Sequence, residues 1–340
     1  MNTSLRSTSL TQRHRVRGFT LIELMISILL GLILSLGIVN VYLGSKRNYA
    51  AEEDMARIQE NGRYAINFLK RELMQVGFYG GRLDVDEMPA GTVTTDCVAA
   101  GNWALDASVP LELINDFNSS LVTKNGTTLS NTCLIVSEIV SGTDIVTVKR
   151  TAGEPTLRDG AYTAGVTAAK NTQWYLRVQD YGSQKSWIYN DTAGFNSTDD
   201  VPGSKVDYWE FYSQIFYIRN YSLVAGDDIP TLCVERLVAS EMTTECLVEG
   251  VEDMQLEYGL DNNFDGFPNQ FVSDPNTPDI GDAVVAKVYL LLRGTSPIAG
   301  YTNTKTYNLG QKVVAAKNDA YLRRVMTTTV QMRNLILPTI

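Results

Sequence analysis

Arg17-Gly18-Phe19-Thr20-Leu21-Ile22-Glu23-Leu24-Met25 marks the point where a basic segment ends and an apolar one begins. The 18 residues up to Gly18 hold Arg6, Arg13, Arg15 and Arg17 and no acidic side chain. From Leu21 to Leu43 the chain is dominated by Leu, Ile, Val, Met, Gly and Ser, and Glu23 is its only charged residue. A helix needs about 20 such residues to cross a bilayer, so this run predicts a membrane span. The basic flank stays on the cytoplasmic side by the positive-inside tendency, which predicts that everything after about Lys46 lies in the periplasm. The apolar run is too long for an ordinary secretory signal, whose short core leads into a small-residue cleavage site. The segment is therefore expected to be retained.

Glu23 is the informative residue. A carboxylate in an apolar span is costly and persists when it is paired. An amino terminus of a neighbouring subunit is a suitable cation, and a buried ion pair of that kind sets register. A carboxylate a few residues from the basic flank can also snorkel to water. What separates the two readings is the company Glu23 keeps. Gly18-Phe19-Thr20-Leu21-Ile22-Glu23 resembles the type IV prepilin signature. The resemblance implies cleavage by a prepilin peptidase after Gly18, N-methylation of Phe19, and an assembly role for Glu23.

No proline occurs before Pro89, so nothing forces a break in a helix that starts at Phe19. Met55, Ile58, Gly62, Ala65, Ile66, Leu69, Leu73 and Val76 recur at spacings of three and four, with Glu52, Glu53, Arg57, Glu60, Arg63, Lys70 and Arg71 between them. That pattern predicts an amphipathic continuation that docks on a folded domain. Gly77 and Gly80-Gly81 supply its stop. The expected organisation is a leader over 1–18, a helix over 19–77 and a β-rich head over 78–340, hence an α+β fold.

Beyond the helix, Ile145–Val148, Gln173–Val178, Ser186–Tyr189 and Tyr208–Arg219 have the β-branched and aromatic content of strands. Met254, Leu256, Tyr258 and Leu260 alternate with polar residues, as do the even positions of Val284–Arg293. Both runs predict half-buried strands. Thr92–Thr132 and Thr192–Lys205 are weakly periodic and rich in Asn, Thr, Ser and Gly, and read as surface insertions.

The chain of 340 residues carries a formal charge of -9; without its first 18 residues it has 25 basic against 38 acidic side chains. Such a surface repels polyphosphate, so no nucleic-acid partner is expected. His14 is the only histidine, which removes the usual general base and the commonest zinc ligand from everything downstream. Cys97, Cys133, Cys233 and Cys246 form no C-x-x-C pair, and an even, dispersed set fits disulfides in an oxidising compartment. Four cysteines allow three connectivities. The local one, Cys97 with Cys133 and Cys233 with Cys246, closes one loop each, and the second pair flanks a predicted hairpin.

Asp261-Asn262-Asn263-Phe264-Asp265-Gly266 places oxygen side chains Asp261, Asn263 and Asp265 at alternate positions before a glycine, as an EF-hand calcium loop opens. Position twelve is Val272 rather than glutamate, and Asn269 or Asp274 would have to substitute. The same residues are ordinary turn formers. Calcium and a plain polar turn both remain open readings of this loop.

Over nearly its full length the chain resembles the PilW family of minor pilins. The residues that carry this are Glu60-Asn61-Gly62-Arg63-Tyr64-Ala65, Gly77-Phe78-Tyr79-Gly80, Gly250-Val251-Glu252-Asp253-Met254-Gln255 with Tyr258-Gly259, and Arg323-Arg324 with Arg333-Asn334. The resemblance implies a non-enzymatic subunit in the inner membrane and the pilus. Its partners would be other minor pilins and the major pilin, and it would prime pilus assembly and so support adhesion and twitching motility. Two features depart from many relatives: a longer leader, and a membrane half without a proline. A J-type minor pseudopilin of a type II secretion system shares the signature. A membrane-anchored hydrolase using carboxylates is the alternative from another class, and no paired-carboxylate or Ser-Lys spacing supports it.

Overall fold

The computed structural model describes residues 18–81, 85, 87–190, 194–275 and 279–335; the basic leader residues up to Arg17, His14 among them, lie outside these. Helix α1 spans Leu21–Met74. The strands follow as β1 (Leu111–Ile114), β2 (Ile145–Thr151), β3 (Leu157–Arg158), β4 (Ala161–Tyr162), β5 (Gln173–Gln179), β6 (Gln184–Asn190) and β7 (Val206–Arg219). Then come β8 (Thr231–Val238), β9 (Glu241–Glu249), β10 (Val251–Leu260), β11 (Gln270–Val272), β12 (Ala283–Arg293), β13 (Tyr307–Leu309), β14 (Lys312–Val314) and β15 (Arg323–Gln331). This is the expected class, one long helix followed by a β-rich head. By contacts the chain divides into two units, residues 1–50 and residues 51–340.

In the first unit, residues 21–43 are all exposed within the chain. The helix to which they belong is long and apolar enough to cross a membrane. An apolar surface with no cover of its own needs lipid or other helices around it.

In the second unit the rest of α1 becomes part of a folded core. Ile58, Ala65, Ile66, Leu69 and Leu73 are buried on one stripe, as the three-and-four spacing requires. They pack on residues of two sheets at once, Val146, Val148, Phe216, Ile218 and Val234 from one and Met254, Leu256, Val288, Leu290 and Val330 from the other. Gly62 marks the closest approach: a Cβ there would stand 2.9 Å from Leu292 Cδ1 and closer still to Met326 Sδ. Helix α1 stops at Met74, and Gly77 just beyond it has a φ of +73°, the left-handed conformation that glycine adopts without strain. Near that end, buried Glu72 accepts a 2.7 Å bond from Arg150 Nε and so ties the last turn to β2.

The first sheet is organised by β7, which at 14 residues is long enough to serve two sets of neighbours. Its C-terminal half lies between β2 and β8, while its N-terminal half pairs with β5 and β3. Even residues Phe216 and Ile218 face α1, and odd residues Phe211, Ile215 and Tyr217 face the opposite side. That opposite side is covered by the segment read above as a surface insertion. Val93, Cys97, Trp103, Leu105, Phe117, Leu121 and Leu129 are all buried there, so the expectation for Thr92–Thr132 is corrected. The segment is mostly irregular coil held by apolar anchors, and irregular anchors leave no period to read. The Thr192–Lys205 region is partly corrected too. Phe195 stacks on Tyr208 with centroids 3.9 Å apart, and Asp199 is buried against Arg177 at 2.7 Å.

The second sheet has the order β11-β10-β12-β15, all antiparallel. Its strands β10 and β12 were expected to be half buried. Instead β10 is enclosed on both faces, with Gln255 and Glu257 less than one-tenth exposed. The hairpin β13–β14 accounts for this. Leu309 and Val314 pack with Tyr307, Leu291 and Tyr289 on the face away from α1, and Tyr289 donates to Glu257 at 2.9 Å. The polar residues of β10 are thus bonded within the fold rather than solvated. Asp144 joins the two sheets: its carboxylate accepts N–H bonds from Asp116 at 2.9 Å and from Leu256 at 2.7 Å. Burial pushes that carboxyl up to about 8.

Candidate functional site

Gly18, Phe19 and Thr20 precede the first helical turn in extended or irregular backbone, fully exposed. A Cβ on Gly18 would meet nothing within 4 Å. The described residues therefore place no demand for glycine at this position. Phe19 is 83% exposed, an apolar ring beside the only carboxylate of the apolar run.

Thr20 and Glu23 form a reciprocal cap. The Glu23 carboxylate accepts the Thr20 N–H at 2.9 Å and the Thr20 hydroxyl at 2.8 Å, while the Glu23 N–H is directed at Thr20 Oγ1 at 3.3 Å. This is a capping box, in which an N-cap threonine and a glutamate three residues on satisfy each other's orphan donors. Two hydrogen-bond donors thus reach the carboxylate, but no cation does among the described residues. Charge neutralisation is the one thing the described residues do not supply. The Thr-x-x-Glu spacing was available in the sequence as a helix-start signal, and the prepilin reading overshadowed it. The sequence reading missed Thr20 as a partner of Glu23.

The cysteines are joined locally in the structure, Cys97 to Cys133 and Cys233 to Cys246. Cys233 and Cys246 sit directly opposite each other on β8 and β9, so their bond staples the hairpin they belong to. Cys97 is fully buried, and its bond ties the coil cover of the first sheet to itself. A non-reducing digest is expected to yield a peptide linking Cys233 to Cys246, and its loss should destabilise the head by about 2–4 kcal/mol. Recovery of both as free thiols from native material would exclude the bridge.

The Asp261 loop resolves as a turn. Asp261 is buried and accepts N–H bonds from Asp265 at 3.2 Å and Gly266 at 2.7 Å. Asp265 accepts from Phe267 N–H at 2.9 Å and from the Asn263 amide at 3.0 Å. Asn269 accepts from Asn262 N–H at 2.9 Å, and Asp274 pairs with Lys124. Calcium takes six to eight oxygens, whereas these oxygens are occupied by the loop's own donors. Among the described residues no three His, Cys, Asp or Glu side chains converge as metal ligands.

Two comparisons with protein families bear on this arrangement. Residues 13–39 match the prokaryotic N-terminal methylation motif. Residues 215–334, from β7 through β15, match the family described as Type IV Pilus-assembly protein W. Among solved structures, a type IV-like pilin from Thermus thermophilus aligns over 82% of this chain and 97% of its own, at 14% identity and a TM-score of 0.35. No curated protein matches the chain. A methylation signature is thus matched at one end of the chain and a PilW region at the other.

Proposed function

We propose that the chain is a minor pilin that primes and takes part in the assembly of a type IV pilus. The observation that carries this is the coupling, in one chain, of Gly18-Phe19 and Glu23 at the start of an uncovered apolar helix with the PilW region at 215–334. An apolar helix without cover is a part made for lipid first and for other helices afterwards. On this reading a prepilin peptidase cuts after Gly18 and the new Phe19 amine is methylated. The protein crosses the inner membrane once with its head in the periplasm, and joins other minor pilins and the major pilin in the filament, near its tip. Support of adhesion and twitching motility follows from pilus assembly. Pilins act as structural subunits, and the reading assigns no reaction to this one.

Protein extracted from its native membrane is expected to begin at Phe19 and to carry one methyl group on that nitrogen, as an intact mass with N-terminal peptide sequencing would record. Because nothing among the described residues crowds Gly18, Gly18→Leu should leave the fold unchanged and still block cleavage. Met1 retained in a strain with an active peptidase would overturn the proposal. Deleting the gene should abolish or reduce piliation while leaving exoprotein secretion intact, and the opposite pattern would point to the pseudopilin reading.

A further inference from the structure

Strand β15 forms one long edge of the second sheet, and the register shows which of its backbone groups are free. Gly294 donates to Leu322 O at 2.9 Å and Met332 donates to Val284 O at 2.8 Å. Both pairs continue the β12–β15 register on either side of it. In an antiparallel pair, residues whose backbone groups bond to the partner strand alternate with residues whose groups point away. The even-numbered positions of β15 therefore bond to β12. Val325, Thr327 and Thr329 turn their N–H and C=O groups outward, and none of these has a partner among the described residues. Three donors and three acceptors thus repeat at about 7 Å along one straight edge.

Edges of this length are ordinarily blunted by charge, proline, short length or a covering segment. Strands β9, β1 and β11 follow that rule. Strand β9 carries Glu241, Glu245 and Glu249, with Thr95 bridged to its first residue. Strand β1 has four residues, and its Leu113 carbonyl is taken by Lys124 N–H at 2.8 Å. Strand β11 has three. Strand β15 has nine residues without proline, glycine or an acidic side chain. Its charges are confined to Arg323, buried in ion pairs with Glu252 and Asp319, and the exposed Arg324. Its outer positions Thr327, Thr329 and Gln331 are exposed, polar and mostly β-branched, the side chains that pack well beside a neighbouring strand.

We propose that this edge takes an extended strand from the head of another pilin subunit, adding it to the sheet in line with β11-β10-β12-β15. Only an extended backbone offers acceptors and donors in alternation at this spacing. The exposed Arg324 and Arg333 bracket the edge, which favours a strand with acidic residues near its ends. The partner class rests on the minor-pilin reading.

The test uses the full-length chain in its native membrane, with a photo-cross-linking phenylalanine derivative in place of Thr329, or of Leu34 as a control within the apolar helix. Position 329 is expected to give an adduct with an extended segment of another pilin. Thr327→Pro removes one outward N–H and leaves the β12 ladder whole, so it should cut that adduct by roughly tenfold or more. The Leu34 adduct and the head's melting temperature should not change. Thr327→Lys combined with Thr329→Glu, read by reversible chemical cross-linking, gives a second arm should the proline disturb folding, and the same loss is expected. No adduct at 329 alongside a normal one at Leu34, or an adduct untouched by either variant, would overturn the edge proposal while leaving the pilin reading in place. An adduct at 329 with a second copy of this chain would refute the named occupant. No adduct at either position would remove the minor-pilin reading as well.

Discussion

Gly62→Leu is expected to loosen or unfold the head, with a loss of about 3 kcal/mol or more. Position 62 lies where α1 comes closest to the second sheet, so that even a Cβ meets Leu292 at 2.9 Å and Met326 more closely. Leu292 is fully buried and cannot step aside, whereas Met326 is partly buried and flexible. Adding four carbons to such a contact is overpacking, which costs about 1–3 kcal/mol and more where the backbone must move. The gain from removing a helix glycine, about 1 kcal/mol, offsets only part of it. For a unit of this size the melting temperature should fall by roughly 6–12 °C. Gly62→Ala combined with Met326→Ala should lose less than Gly62→Leu, since the smaller neighbour clears the one flexible obstacle while the 2.9 Å approach to Leu292 remains. The two changes are coupled through a shared contact and should not add. Thermal melts of the purified full-length protein decide the matter, and an unchanged midpoint in Gly62→Leu would show that the approach of helix to sheet is looser than described.

That glycine shows how much of the fold could be read from sequence. Ile58, Ala65, Ile66, Leu69 and Leu73 recur at helical spacing and are buried as the spacing requires. Gly62 fell on the same stripe, but nothing local said that a sheet would press against it. Strands β10 and β12 were legible from alternation, because one face of each must meet α1. Their second cover was not legible, since β13 and β14 have three residues each and come from a stretch without a period. The coil from Val93 to Leu129 was misread for the same reason: its anchors Trp103, Leu105 and Phe117 are buried one by one rather than as a face. Long-range polar links such as Glu72 to Arg150 and Asp144 to Leu256 join residues 78 and 112 positions apart, beyond the reach of local pattern. At the candidate site the reverse held. Glu23 stood out by its chemistry and position, Gly18 and Phe19 through the resemblance to the prepilin signature, and the capping partner Thr20 was written three residues away.

Glu23→Ala is expected to abolish assembly while sparing everything else in the chain. The carboxylate has two donors from Thr20 and no cation within reach among the described residues, so its hydrogen bonding is partly met and its charge is not. Once apolar helices surround it, an unpaired carboxylate is strongly disfavoured, and a neighbouring Phe19 amine becomes the favourable partner. Removing the carboxylate leaves that amine without its counter-charge and the register of the two helices undefined. The head belongs to a separate unit with its own core and should keep its protease resistance and both disulfides. Cleavage after Gly18 should proceed as well. Pilus number, counted by electron microscopy, is expected to fall by roughly tenfold or more, and the variant should not co-purify with other pilins through its helix. Two companions separate charge from capping. Thr20→Ala loses the cap and keeps the charge, so it should assemble at reduced but measurable levels. Glu23→Gln keeps an oxygen acceptor for Thr20 and loses the charge, so it should resemble the alanine variant. If Glu23→Gln assembles normally and Thr20→Ala does not, the carboxylate acts as a helix cap, and the pairing with a neighbouring amine is wrong. If Glu23→Ala itself enters pili in normal numbers, the helix is a membrane anchor and register is set in the heads.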